Sequence, residues 1–227
     1  MFENMNLLYL IVDLNLELVS LLKIVDVKQW KRKIYDKNED VEFAFRALFL
    51  EDNKIIKLNI EGDKFEIEGL LKIYADNQDK LIFYFERQGE KSITIEYLNR
   101  WLTLQKIFNA LNKQTLLQPK YYRPYLDLIL SKLPKQYQKK EANLGDVLKV
   151  EIVGEAGGVW CIVKKDEGWV FTEEMKLKPK SLIYIDQQIA WLLFSGGINP
   201  MYASQYYQIH GDVNLGSHVL KMKSIMM

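Results

Sequence analysis

Ile95-Glu96-Tyr97-Leu98-Asn99-Arg100-Trp101-Leu102-Thr103-Leu104-Gln105-Lys106-Ile107-Phe108-Asn109-Ala110-Leu111 is the stretch whose reading decides the fold of the amino-terminal part. Ile95, Leu98, Leu102, Gln105, Ile107 and Leu111 are spaced to suit a helix of about four turns. Thr94 stands immediately before them as an N-cap. Upstream, Leu7, Leu10, Ile11, Leu14, Leu18, Leu21 and Leu22 recur at intervals of three and four and mark one face of a first helix. Val41 to Leu50 reads as a second helix. Lys54 to Glu68 alternates apolar and polar residues around Gly62-Asp63, which taken alone predicts a β-hairpin. Gly69 to Phe85 suits another helix.

Downstream, a helix is expected from Pro124, where proline fits a first turn, to Leu133, with Pro134 ending it. Lys135 to Asn143 is charged and poor in aliphatic residues, and marks a domain boundary. The expected domains are therefore residues 1–138 and 144–227. Beyond the boundary the period changes to two. Val147 to Val153, Val159 to Val163, Gly168 to Thr172 and Ser181 to Ile185 read as strands, with Gly154 to Gly158 as a hairpin turn. Asp186 caps a helix carrying Ile189, Ala190, Trp191, Leu193 and Phe194, which stops at Gly196-Gly197. Tyr206 to Ile209 reads as a fifth strand, and Asp212 caps a final helix with Leu215, Val219, Leu220, Met222 and Ile225. Strands leading and helices following give an α+β domain after a helical bundle.

Composition excludes several classes. Among 227 residues, 31 Lys and Arg face 30 Asp and Glu, a formal net charge of +1 that argues against a nucleic-acid partner. The clusters Lys28 to Lys33 and Lys135 to Lys140 read as solvated faces. The single cysteine, Cys161, cannot form an internal disulfide and suggests a reducing, cytoplasmic setting. Met1 to Val25 is the most apolar stretch, but Glu3, Asp13 and Glu17 interrupt it. It fits a buried amphipathic helix rather than a membrane span or a secretion signal.

Chemistry-bearing residues are sparse. His210 and His218 lie eight apart, too far for the one-face chelation that a spacing of three or four provides, and His210 is explained by a local hydrogen bond. Cys161, between Trp160 and Ile162, alternates with Val159 and Val163 as a core residue with no cation beside it to activate a thiolate. No serine elbow or phosphate-binding glycine loop is present. The catalytic residues are unknown from this reading, and no cofactor or metal is expected.

The segment Glu96 to Leu111, followed by Leu116-Leu117-Gln118-Pro119, Tyr121 and Leu133-Pro134, resembles the helix pair of the mycothiol-dependent maleylpyruvate isomerase family, within the DinB-like helical bundles. Gly157-Gly158-Val159-Trp160, Ile189 to Gly197 and Ile209-His210-Gly211-Asp212 are similar to that family's small carboxy-terminal domain, a fold related to sterol carrier proteins. The resemblance implies an α+β protein: a DinB-like bundle followed by a sterol-carrier-like domain. It also implies a metal held by a Glu-x-x-x-His pair and a further histidine. Those positions fall on Asn99, Thr103 and, near it in register, Ala47, none of which replaces a metal ligand. The arginine after the family's helix tryptophan reads Leu192.

The scaffold without its ligands implies a non-catalytic member that binds a small, partly apolar ligand between bundle and small domain. Tyr97, Asn99, Trp101, Thr103 and Trp191 are the candidate lining residues. Two alternatives stand beside it. One is a metal-independent thiol transferase or isomerase using Asn99 and Thr103 as polar contacts. The other is a structural or interaction protein acting as a homodimer, as bundles of this kind often pair. The partners expected are thus a small molecule and a second copy, with neither nucleic acid nor membrane.

Overall fold

The computed structural model describes residues 7–34, 39–57, 66–174 and 177–222. The chain divides into two compact units, Met1–Leu116 and Leu117–Met227.

The described part of the first unit is helical. It comprises α1 (Leu7–Ile24), α2 (Val41–Ile55), α3 (Ile67–Asp76), α4 (Gln78–Phe85) and α5 (Glu90–Ala110). The Leu7-to-Leu22 periodicity is the buried face of α1, with Ile11, Leu14 and Leu18 fully buried. That face packs along α5 and against α3 and α4. Asp40 caps α2 by accepting from the Phe43 amide. The core of α2 is aromatic: the Phe45 ring meets Trp30 at 6.0 Å and Tyr74 at 5.8 Å, both edge-on. Each such pair adds roughly 0.5–1.5 kcal/mol beyond its buried area.

Three expectations are corrected here. Helix α5 begins at Glu90, after Gly89 at φ 79°, so Thr94 lies inside it and donates its hydroxyl to the Glu90 carbonyl. The Gly69-to-Phe85 helix is broken at Asn77, whose side chain donates to the Ile73 carbonyl at 2.7 Å and competes with the backbone. The ends of the expected hairpin are helical, since Ile56 is the C-cap of α2 and Ile67 opens α3. Its middle, 58–65, lies outside the described residues.

The second unit carries α6 (Pro119–Leu130), α7 (Leu133–Tyr137), β1 (Val147–Val153), β2 (Gly158–Lys165), β3 (Gly168–Phe171), β4 (Ser181–Asp186), α8 (Gln187–Ser195), β5 (Tyr207–Gly211) and α9 (Val213–Ser217). The sheet runs β3-β2-β1-β4-β5, with β1 and β4 parallel and the other pairs antiparallel. Leu148, Val150 and Ile152 share the buried face with Ile183 and Ile185 across that parallel pair. Asp186 and Asp212 cap α8 and α9 as read from sequence, and Gly196 ends α8 in the left-handed conformation.

The prolines act differently from expectation. Pro119 opens α6, Pro124 sits inside it, and Pro134 opens α7 instead of ending a helix. The division between the units falls at 116/117, ahead of these helices, whereas the charge pattern pointed to 138–144. Side chains of α6 and α7 explain this by anchoring in the second unit. Tyr122 donates to the Gln187 carbonyl, Tyr137 to the Leu215 carbonyl, and the Trp160 indole to Asp127. The described end of the last helical segment is a 3₁₀ turn over His218–Lys221, with 223–227 outside the described residues. Among the described residues no helix is long and apolar enough to cross a membrane.

Candidate functional site

Arg100, in the middle of α5, is 2% exposed, and burying a guanidinium requires partners for its charge and its five N–H groups. They come from the helices around it. Nη1 and Nη2 donate to the two Asp52 oxygens at 2.7 and 2.6 Å, and Nε donates to Glu96 at 2.7 Å. Nη2 also donates to Glu96. Nη1 further reaches Asn15 Oδ1 and the Tyr74 hydroxyl, each at 2.9 Å. Asn15 in turn donates to Gln78 Oε1 at 2.6 Å, and Gln78 donates to the Tyr74 carbonyl. One cation thus ties α1 (Asn15), α2 (Asp52), α3 (Tyr74) and α4 (Gln78, through Asn15) to α5.

The electrostatics keep this centre charged at its core. Burial opposes the Arg100 charge, but Tyr74 and the Asp52 and Glu96 carboxylates outweigh it and hold the guanidinium protonated. Burial likewise pushes the Tyr74 phenol well above the ordinary tyrosine range. All three guanidinium nitrogens are engaged by protein acceptors, so a ligand could reach Arg100 only by displacing them. The centre holds the bundle together.

This centre is absent from the sequence reading. Arg100 and Glu96 stand four apart and look like a surface pair. The available signal was elsewhere: Asn15 follows Ile11 by four, and Asp52 follows Leu48 by four, which places polar groups on the apolar faces of α1 and α2.

The five candidate lining residues fall in different surroundings. Tyr97 and Trp101 are fully buried on one face of α5, while Asn99 and Thr103 are half-buried on another. Asn99 Oδ1 is buried without a hydrogen-bond partner, as are Asn53 Nδ2 and Gln105 Oε1. Trp191 belongs to the second unit, 2% exposed within α8. Ala47 is exposed on α2, whereas Asn99 and Thr103 are half-buried on α5. Among the described residues no three His, Cys, Asp or Glu side chains gather as a metal site.

His210 is exposed, with its ring edge-on to Tyr184 at 5.7 Å in place of the expected local hydrogen bond. His218 instead meets the Gln136 carbonyl at 3.2 Å and the Tyr137 ring, and burial lowers its pKa. Cys161 is 3% exposed, and burial pushes its thiol up, which disfavours the reactive thiolate.

Open space lies away from these residues. In the first unit, a groove of about 600 Å³ runs between the end of α2 and one face of α4. Ile55, Ile56, Phe83 and Tyr84 form its apolar lining, and Lys57, Lys80, Arg87 and Asp79 its charged part. Phe83 is 57% exposed and carries the Arg87 guanidinium 3.8 Å above its ring centroid. In the second unit a cleft of about 390 Å³ is lined by Val153, Tyr184, Asp186 and Gln205 to Gln208.

No family model matches the chain, and no curated protein matches it. Among solved structures, a UbiJ-SCP2 ubiquinone synthesis protein aligns with 44% of this chain and 94% of its own, at 14% identity and a TM-score of 0.31. The sterol carrier protein domain 2 of Helicoverpa armigera aligns with 44% of this chain and 80% of its own, at 20% identity and a TM-score of 0.30. The expected DinB-like, maleylpyruvate isomerase-like bundle has no match among family models.

Proposed function

We propose that the protein binds a small, partly apolar molecule without transforming it, and that the groove between α2 and α4 is where it binds. The observation that carries this reading is an exposed aromatic ring, Phe83, set in a concave apolar surface beside Ile55, Ile56 and Tyr84. Its volume of about 600 Å³ falls within the range of small-molecule sites, roughly 300–1,000 Å³. The absence of chemistry in the reading rests on the groove's own residues. Its lining has no histidine, cysteine, serine or threonine, and its Asp79, Lys57, Lys80 and Tyr84 form no hydrogen bond or ion pair with another described side chain of the kind that activates a nucleophile or base. The Arg100 centre supports the same view, because its donors are already satisfied.

A neutral fluorescent dye, N-phenyl-1-naphthylamine, tests the reading. Saturable binding at one site, lost in Phe83→Asp while helical circular dichroism is retained, is the expected result. Absent or non-saturable binding, or binding unchanged in Phe83→Asp, would overturn it.

A further inference from the structure

Resting on that reading, we infer that the groove's ligand is an organic acid, an anionic headgroup on an alkyl or aryl body, recognised by Lys57, Lys80 and Arg87. Three cations face one carboxylate, Asp79, along the lining. The whole chain carries a formal net charge of only +1, so this is a local concentration of charge. Three other cations of the same unit, Lys31, Arg46 and Arg100, are held in ion pairs with Glu42, Asp52 and Glu96, and what sets the groove apart is that three cations share one concave apolar lining. Lys57, Lys80 and Arg87 form no ion pair with any described residue. Their charges remain available to a ligand beside an apolar floor.

The geometry of Arg87 favours a planar or tetrahedral oxyanion. Its guanidinium lies over the Phe83 ring, four residues back on the same helical side. Stacking uses the guanidinium face and leaves the N–H groups at its edge, which match carboxylate or phosphate oxygens two at a time. The same Phe83 ring lines the groove with Ile55, Ile56 and Tyr84, so head and tail recognition meet at one residue.

Lys57 reaches the groove from the end of α2. It follows the C-cap of α2 with φ 55°, in the left-handed region where glycine is the usual occupant. The turn strains a lysine there, as the same turn after α5 strains Asn112, and it brings Lys57 to the edge of the groove. The concavity favours a free single molecule over a bilayer surface, which would need a protruding or flat apolar patch.

Competition for the bound dye by dodecanoate and by dodecanol, both below micelle formation, separates the parts. The chain is the same and only the head changes. Dodecanoate is expected to compete about tenfold better, the margin of a charge-assisted hydrogen bond, and the advantage should shrink with added salt. Arg87→Gln should remove the advantage. Lys57→Gly should weaken dodecanoate while raising the unfolding midpoint, because glycine relieves the strained position. Equal competition by acid and alcohol in the wild type would overturn the inference and leave the apolar site standing. Failure of the dye itself to bind would overturn the proposed function first. Dodecanoate binding unaffected by both substitutions would place the anion elsewhere and refute the assignment.

Discussion

Replacing Arg100 with methionine is the most informative perturbation of the first unit. The substitution keeps a long apolar stem but removes the one cation that the described residues bring to the centre. Asp52, 1% exposed, then retains a carboxylate with its bidentate partner gone, and Asn15 and Tyr74 lose a donor each. Breaking a buried pair from one side costs about 3–5 kcal/mol, because an uncompensated charge is left in a low-dielectric interior. A domain's whole stability is about 5–15 kcal/mol, so Arg100→Met should leave the helical unit marginal. Removing both charges, with Arg100→Met and Asp52→Leu together, should cost less than the sum of the single changes, since the stranded ion disappears.

Urea denaturation followed by helical circular dichroism and by tryptophan fluorescence provides the measurement. Trp30 and Trp101 report on the first unit, and Trp160, Trp169 and Trp191 on the second. The transition of the first unit should move while that of the second stays. A loss below about 1 kcal/mol for Arg100→Met, the level of a solvated pair, would refute the account. So would strict additivity in the double variant.

Burial raises the pKa of Tyr74, Tyr122 and Tyr137, so each contributes stability that is complete below the ordinary tyrosine pKa and falls as pH rises above it. Above roughly pH 10 each should cost about 1.4 kcal/mol per pH unit, and a denaturation free energy that stays flat into strongly alkaline solution would contradict their burial. In the β1–β2 hairpin, a Cβ at Gly157 would overlap the backbone carbonyl of Ile152, which no side-chain rotation can relieve. Gly157→Ala should cost roughly 1–3 kcal/mol, read from the fluorescence transition of the second unit, and an unchanged midpoint would show that the turn can open.

The second unit was the more legible half, and the reason is locality. Val147–Val153 was read with its observed bounds because period-two alternation is complete within seven residues. Asp186 and Asp212 were read as caps because a cap bonds two or three residues ahead, to Gln188 and Leu215. The GGVW segment, Gly157 to Trp160, is explained by the same fold. Its first glycine admits the Ile152 carbonyl, and a Cβ at Gly158 would strike Arg123. Arg123 itself bridges Asp127 and the Gly157 carbonyl beneath the Trp160 ring.

Charge pattern and contacts divide the chain at different places, because the contacts that set the division at 116/117 are non-local. Charge between Lys135 and Asn143 reports exposure. What decides membership is where Tyr122, Asp127 and Tyr137 find partners, some 33 to 78 residues further along the chain.

The same distinction explains why the sequence of the helical unit shows no recognisable chemistry. A metal site advertises itself through histidines, and the first unit has none. Its centre is instead organised by a guanidinium whose partners lie 4, 26, 48 and 85 residues away. Only the nearest of these is visible as a pattern, and it is the spacing that marks a solvated pair on any helix surface. Because Arg100 is fully occupied, the positive charge that could meet a ligand has to come from cations the fold leaves unpaired. Lys57, Lys80 and Arg87 form no ion pair with a described residue and gather along one apolar groove beside Asp79. Among the described residues the helical unit thus puts positive charge to two uses: Arg100 is buried and neutralised to fix five helices, while Lys57, Lys80 and Arg87 are exposed along a groove where we propose that an acidic ligand fits.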